Sequence, residues 1–217
     1  MHKEKMILKH PLSIRVFHYS LILSFLPLAV TGVVLYFKPF GETVMNFMMQ
    51  IHIVAGVLLT LGAAAISLIS SGRIILFIKR ICTVSMNDIK WFLVLGGYPQ
   101  KFLFKKKVAV PPMGKYNSGQ KLFGIFILIG GTILIISGLA LWAFPHNMPR
   151  GTMAILGLLH TVCGFILTVF LPVHLFLGIY MFDDFKAMII HGKIPYDEAK
   201  NMSPLWVERE IISISRN

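Results

Sequence analysis

Residues 151–182 read GTMAILGLLHTVCGFILTVFLPVHLFLGIYMF, a run with no charged side chain and with histidines only at 160 and 174. About 20 apolar residues in a helix cross ~30 Å of hydrocarbon, and this run exceeds that length. A soluble helix needs a polar outer face, and none is present. Working outward, three more stretches are equally bare: Val16 to Phe37, Thr43 to Gly72 and Leu122 to Pro149. The pattern predicts an all-α fold, an antiparallel transmembrane bundle of four helices over about 15–37, 44–71, 118–144 and 152–182. The 217 residues read as one membrane domain with a cytoplasmic tail from 183.

Only 14% of residues are charged, against about a quarter in soluble domains. The first apolar run is too long for a cleavable leader, so the first helix is expected to stay in the membrane. The net charge of +12 could suggest nucleic acid, but its distribution argues otherwise. Lys3, Lys5, Lys9 and Arg15 precede the first helix, and ten lysines and arginines lie between Arg73 and Lys121. The short connections at the other face carry Lys38 and Arg150 alone. Basic residues crowd the cytoplasmic side, which puts both termini and the middle loop in the cytoplasm, in contact with anionic lipid. Cys82 and Cys163 lie at different depths and are not expected to pair. In the middle loop, residues 88–95 suggest an interfacial helix with Asp88 near its cap.

Of eight histidines, His2, His10, His146 and His191 sit in flanks or turns and read as solvated. His18, His52, His160 and His174 sit inside apolar segments, where an ionisable group is costly and usually functional. His160 and His174 are fourteen residues apart, ~21 Å along a helix and roughly 40° short of a whole number of turns. They therefore share a face at two levels. His18 falls at the inner level with His174, and His52 at the outer level with His160. Gly56, Gly164 and Gly178 each follow one of these histidines by one turn, and Gly32 can face the outer level, leaving room for a flat macrocycle. Two haems of b type, each between two histidines, satisfy the pattern. Arg15 is a candidate partner for inner propionates. A haem-free anchor or transporter is the alternative, although a metal carrier would want carboxylates or thiols near the histidines.

Arg15-Val-Phe-His18, Gln50-Ile-His52 with Gly56, and Leu159-His160 with His174 carry a resemblance, as does Gly114-Lys-Tyr-Asn-Ser-Gly-Gln-Lys121 before the third helix. The tail, Gly192-Lys-Ile-Pro through Pro204-Leu-Trp-Val-Glu-Arg209, extends it. On these residues the chain resembles the cytochrome b (gamma) subunit of membrane-bound, quinone-linked formate dehydrogenases. Tyr19 stands where that family often has tryptophan. The resemblance implies an outer haem on His52 and His160 and an inner one on His18 and His174. It also implies a menaquinone or ubiquinone site around Asn117, Gly119, Gln120 and His174. The implied partners are an iron–sulfur (beta) subunit and a molybdenum or tungsten catalytic (alpha) subunit, in a bacterial inner membrane. Asn117 and Ser118 also suit a helix N-cap. A cytochrome b serving a hydrogenase or a thiosulfate or polysulfide reductase would have much the same ligands.

Overall fold

A computed structural model describes residues 5–212; His2 and Lys3 lie outside the described residues. Four helices are long and apolar enough to cross a membrane: α1 (Leu12–Phe37), α2 (Glu42–Ile69), α6 (Ser118–Ala143) and α7 (Arg150–Tyr180). The chain is a multi-pass membrane protein. Each helix end falls within a few residues of the expected position, because the missing charges mark the spans directly. Pro27 and Pro172 lie inside continuous α1 and α7, as helices in hydrocarbon tolerate when neighbours supply partners.

Between α2 and α6 run three short helices, α3 (Ser71–Cys82), α4 (Met86–Leu93) and α5 (Tyr98–Phe104). After α7 come α8 (Phe182–Lys186), a wide turn over Ala187–His191, and α9 (Tyr196–Met202). The architecture is all-α with one small addition that the sequence reading lacks. Strand β1 (Met6–Leu8) pairs antiparallel with β2 (Lys193–Pro195), Ile7 opposite Ile194.

The chain divides into two compact units. One holds His10–Ser71 and Phe126–Gly192, and is a helical bundle built on α1, α2, α7 and most of α6. Within it the start of α1 is tied to the segment after α7. The Arg15 guanidinium donates to the carbonyls of Met188 and Ile190, and the Tyr19 hydroxyl to that of Ile189. Arg15, expected to face a propionate, thus directs its Nε and one Nη to backbone. His146 and His191 are exposed as expected. His10 departs from expectation: it is buried and faces Asp184 Oδ1 at 3.2 Å. An imidazole so far from water needs a polar partner, and Asp184 lies too far along the chain to be foreseen.

The other unit gathers the arm through Lys9, Gly72–Ile125 and the tail from Lys193. Within this unit the tail folds back on its own chain. Trp206 is buried, with Lys115 Nζ 5.2 Å from its ring centre, and Leu205 N–H donates to Met113 O.

At the heart of this unit sits Asp88. It is the N3 residue of α4, closing a capping box with Ser85, so the expected cap role holds and a larger one is added. Its Oδ1 accepts from Ser118 Oγ at 2.9 Å and Lys121 Nζ at 2.8 Å, and its Oδ2 from Ser85 N–H at 2.8 Å. Burial alone would push its pKa up, but the hydrogen bonds from Lys121, Ser85 and Ser118 outweigh that and hold it below the ordinary value. A carboxylate with a depressed folded pKa stabilises the fold above its unfolded value, and that stability is lost as pH falls through the folded one. This clasp is expected to open on acidification below about pH 4 and to hold unchanged at neutral pH. Asp88→Ala leaves Lys121 Nζ with the Thr83 carbonyl alone, and the lost charge-assisted hydrogen bonds should cost about 2 kcal/mol. Amide exchange over residues 85–93 should accelerate accordingly; an unaltered rate would show that the clasp contributes nothing.

Candidate functional site

The bundle unit brings the four intramembrane histidines together in two couples. His52 on α2 and His160 on α7 have ring centroids 6.1 Å apart, with planes at 67°. His18 on α1 and His174 on α7 have centroids 6.2 Å apart, with planes at 50°. Helical periodicity explains the arrangement. α7 presents both of its histidines on one face, and α1 and α2 each bring one to meet it.

Whether an iron porphyrin fits can be tested on these spacings. With a metal–imidazole nitrogen bond of about 2 Å, two opposed rings have centres roughly 6 Å apart. Both couples meet that condition. The cleft at the His52–His160 couple has a volume of about 710 Å³ and an apolar lining, which suits a large flat group with few polar contacts. Gly32, Gly56, Gly138 and Gly164 all face it. At Gly138 an added Cβ would stand 3.0 Å from His160 Cε1, and at Gly32 3.4 Å from His52 Cε1. Missing side chains at these two positions let the rings lie against the helix backbone. Gly138 was not foreseen; Gly32, Gly56 and Gly164 were. Beside Gly178 an added Cβ would meet nothing within 4 Å among the described residues.

Thr31 and Ser137 also escaped the sequence reading. Thr31 Oγ1 is 2.8 Å from His52 Nδ1, and Ser137 Oγ is 3.0 Å from His160 Nδ1. Both hydroxyl residues are almost wholly buried. Their only signal in the sequence is a hydroxyl residue followed by glycine, Thr31-Gly32 and Ser137-Gly138, each on the helix before a histidine.

The residues implied for a quinone site fall in both units. Asn117, Gly119 and Gln120 belong to the unit that holds Asp88, while His174 belongs to the bundle. Asn117 Oδ1 accepts from Gln120 N–H at 2.9 Å, and Gln120 Oε1 from Asn117 N–H at 3.0 Å. This reciprocal cap satisfies two of the orphan donors at the start of α6. It leaves the Nδ2 and Nε2 amide groups of both side chains as donors for a ligand. Gly119 lies under Trp91, where a Cβ would stand 2.9 Å from the ring.

Residues 9–189 match the family described as prokaryotic cytochrome b561. The formate dehydrogenase cytochrome b556 subunit of Haemophilus influenzae is 25% identical, over 95% of this chain and 84% of that protein. The cytochrome b556(Fdn) subunit of the nitrate-inducible formate dehydrogenase of Escherichia coli K12 is 26% identical, over 97% of this chain and 94% of that protein.

Proposed function

The chain belongs to the prokaryotic cytochrome b561 family, and on that premise we propose that it carries electrons across the bacterial inner membrane from a formate-oxidising complex to quinone. The observation that carries this reading is the double match of imidazole spacing, 6.1 and 6.2 Å between ring centres. Two haems of b type, one per couple, would supply the one-electron chemistry. The chain's own part is to hold, space and orient them.

His52 and His160 would grip one iron near the outer face, and His18 and His174 the other near the cytoplasm. The positive-inside rule sets that orientation. The two couples stand ~21 Å apart along α7, the span of fourteen helical residues. Each electron moved works with or against the membrane potential at ~2.3 kcal/mol per 100 mV. Drawing quinol protons from the cytoplasm therefore turns redox energy into a proton-motive force. The side-chain amides of Asn117 and Gln120 would donate to a quinone carbonyl.

The relatives' names favour formate as the electron source, and so imply an iron–sulfur subunit and a molybdenum or tungsten catalytic subunit as partners. Purified with those partners, the complex is expected to contain two b haems per copy of this chain. Formate should reduce both, and an added quinone should reoxidise both. A haem content of one or none, or haems that formate leaves oxidised, would defeat the proposal.

A further inference from the structure

At the outer couple a buried hydroxyl stands behind each ring. A hydroxyl group has one proton to donate. Thr31 Oγ1 donates its proton to Pro27 O at 2.7 Å, and Ser137 Oγ donates its own to Ile133 O at 2.6 Å. Toward the imidazole each oxygen can then only accept. In that arrangement His52 Nδ1 and His160 Nδ1 carry the hydrogen, and the lone pair of each ring is left on Nε2. Neither hydroxyl has access to water, Thr31 being 3% exposed and Ser137 1%, so solvent does not relieve this constraint.

The same seat is built twice. In each hairpin the first helix supplies a hydroxyl at the ring nitrogen and a glycine at the adjacent Cε1, and the second helix supplies the histidine. α1 and α2 do this with Thr31, Gly32 and His52; α6 and α7 do it with Ser137, Gly138 and His160. The two halves of the bundle are thus related at this level, although the sequence shows no obvious repeat. At the inner couple His18 Nδ1 is buried and has no hydrogen-bond partner among the described residues.

We propose that Thr31 and Ser137 are paired positioning residues that fix His52 and His160 in the Nδ1–H tautomer and aim both Nε2 lone pairs at one shared iron. The inference rests on the assignment of these two histidines as haem ligands. Partners behind a ligating histidine orient the ring and raise its basicity. A more basic ligand favours the ferric state. Removing the acceptor should therefore move the outer haem's midpoint upward and leave the inner one where it was.

The test is a redox titration of the purified complex carrying Thr31→Val or Ser137→Ala, with Thr31→Ser and Ser137→Thr as variants that keep the hydroxyl. Haem content is measured on each. In Thr31→Val and Ser137→Ala the outer midpoint is expected to rise by about a tenfold change in the ferric-to-ferrous equilibrium, ~59 mV for one electron. Thr31→Ser and Ser137→Thr should titrate like wild type. Loss of the outer haem in the hydroxyl-free variants, with retention in the hydroxyl-bearing ones, would equally support the proposal. Unchanged midpoints in all four, or loss of haem in all four, would overturn it, the latter by showing that packing and not the hydroxyl matters. A wild-type complex without haem would remove the ligand assignment itself, a failure that the haem measurement identifies before any variant is made.

Discussion

Replacing His52 by alanine is expected to yield a complex with one haem per chain instead of two, and formate-to-quinone turnover reduced by roughly 100-fold or more. The scale follows from ligand chemistry: losing a partner behind a ligand already costs about 10–100-fold, and here the ligand itself goes. The substitution removes one of two rings whose centres lie 6.1 Å apart and enlarges a cleft of about 710 Å³. His160 is then left to hold an iron from one side. Thr31 loses its imidazole but keeps its bond to Pro27 O, so α1 is not expected to unfold. The measurement that separates site loss from misfolding is the inner couple. Quinol added from the membrane should still reduce the single remaining haem of His52→Ala. Two haems and undiminished turnover in this variant would end the assignment of the outer site.

The spans and the histidine couples were legible in the sequence because both follow from local rules. A charge-free run longer than the bilayer is thick has few alternatives, and α7 carries its histidines at a spacing that fixes level and face together. The features that escaped are tertiary. Thr31 and Ser137 look like ordinary hydroxyl residues in apolar helices, where bonding back to the i−4 carbonyl is their usual state. That bond is present at both positions, and only the packing of a second helix brings an imidazole nitrogen to the same oxygen. His10 with Asp184, and β1 with β2, join segments separated by nearly the whole chain, and no periodicity links them. Asp88 was read correctly as a cap residue. Its contact with Lys121 and Ser118 depends on how the middle loop closes on the start of α6, which the sequence leaves open.

Replacing His174 by alanine is expected to give the converse defect. The His18–His174 couple, with centres 6.2 Å apart, loses one member, and with it the inner haem. Formate should still reduce the haem that remains at His52 and His160, but quinone should no longer reoxidise it at a measurable rate. The resemblance gives His174 two roles, as a haem ligand and at a quinone site, and this variant alone does not separate them. His18→Ala does. It breaks the same couple from α1 and leaves His174 in place. Both variants should show one haem and blocked turnover, whereas binding of a quinone analogue should be weakened in His174→Ala and retained in His18→Ala. Equal analogue affinity in the two would remove His174 from the quinone site and leave it a ligand only. Normal formate-to-quinone turnover in His174→Ala would refute the inner site altogether, because the remaining imidazole, His18, would have lost the ring it faces across 6.2 Å.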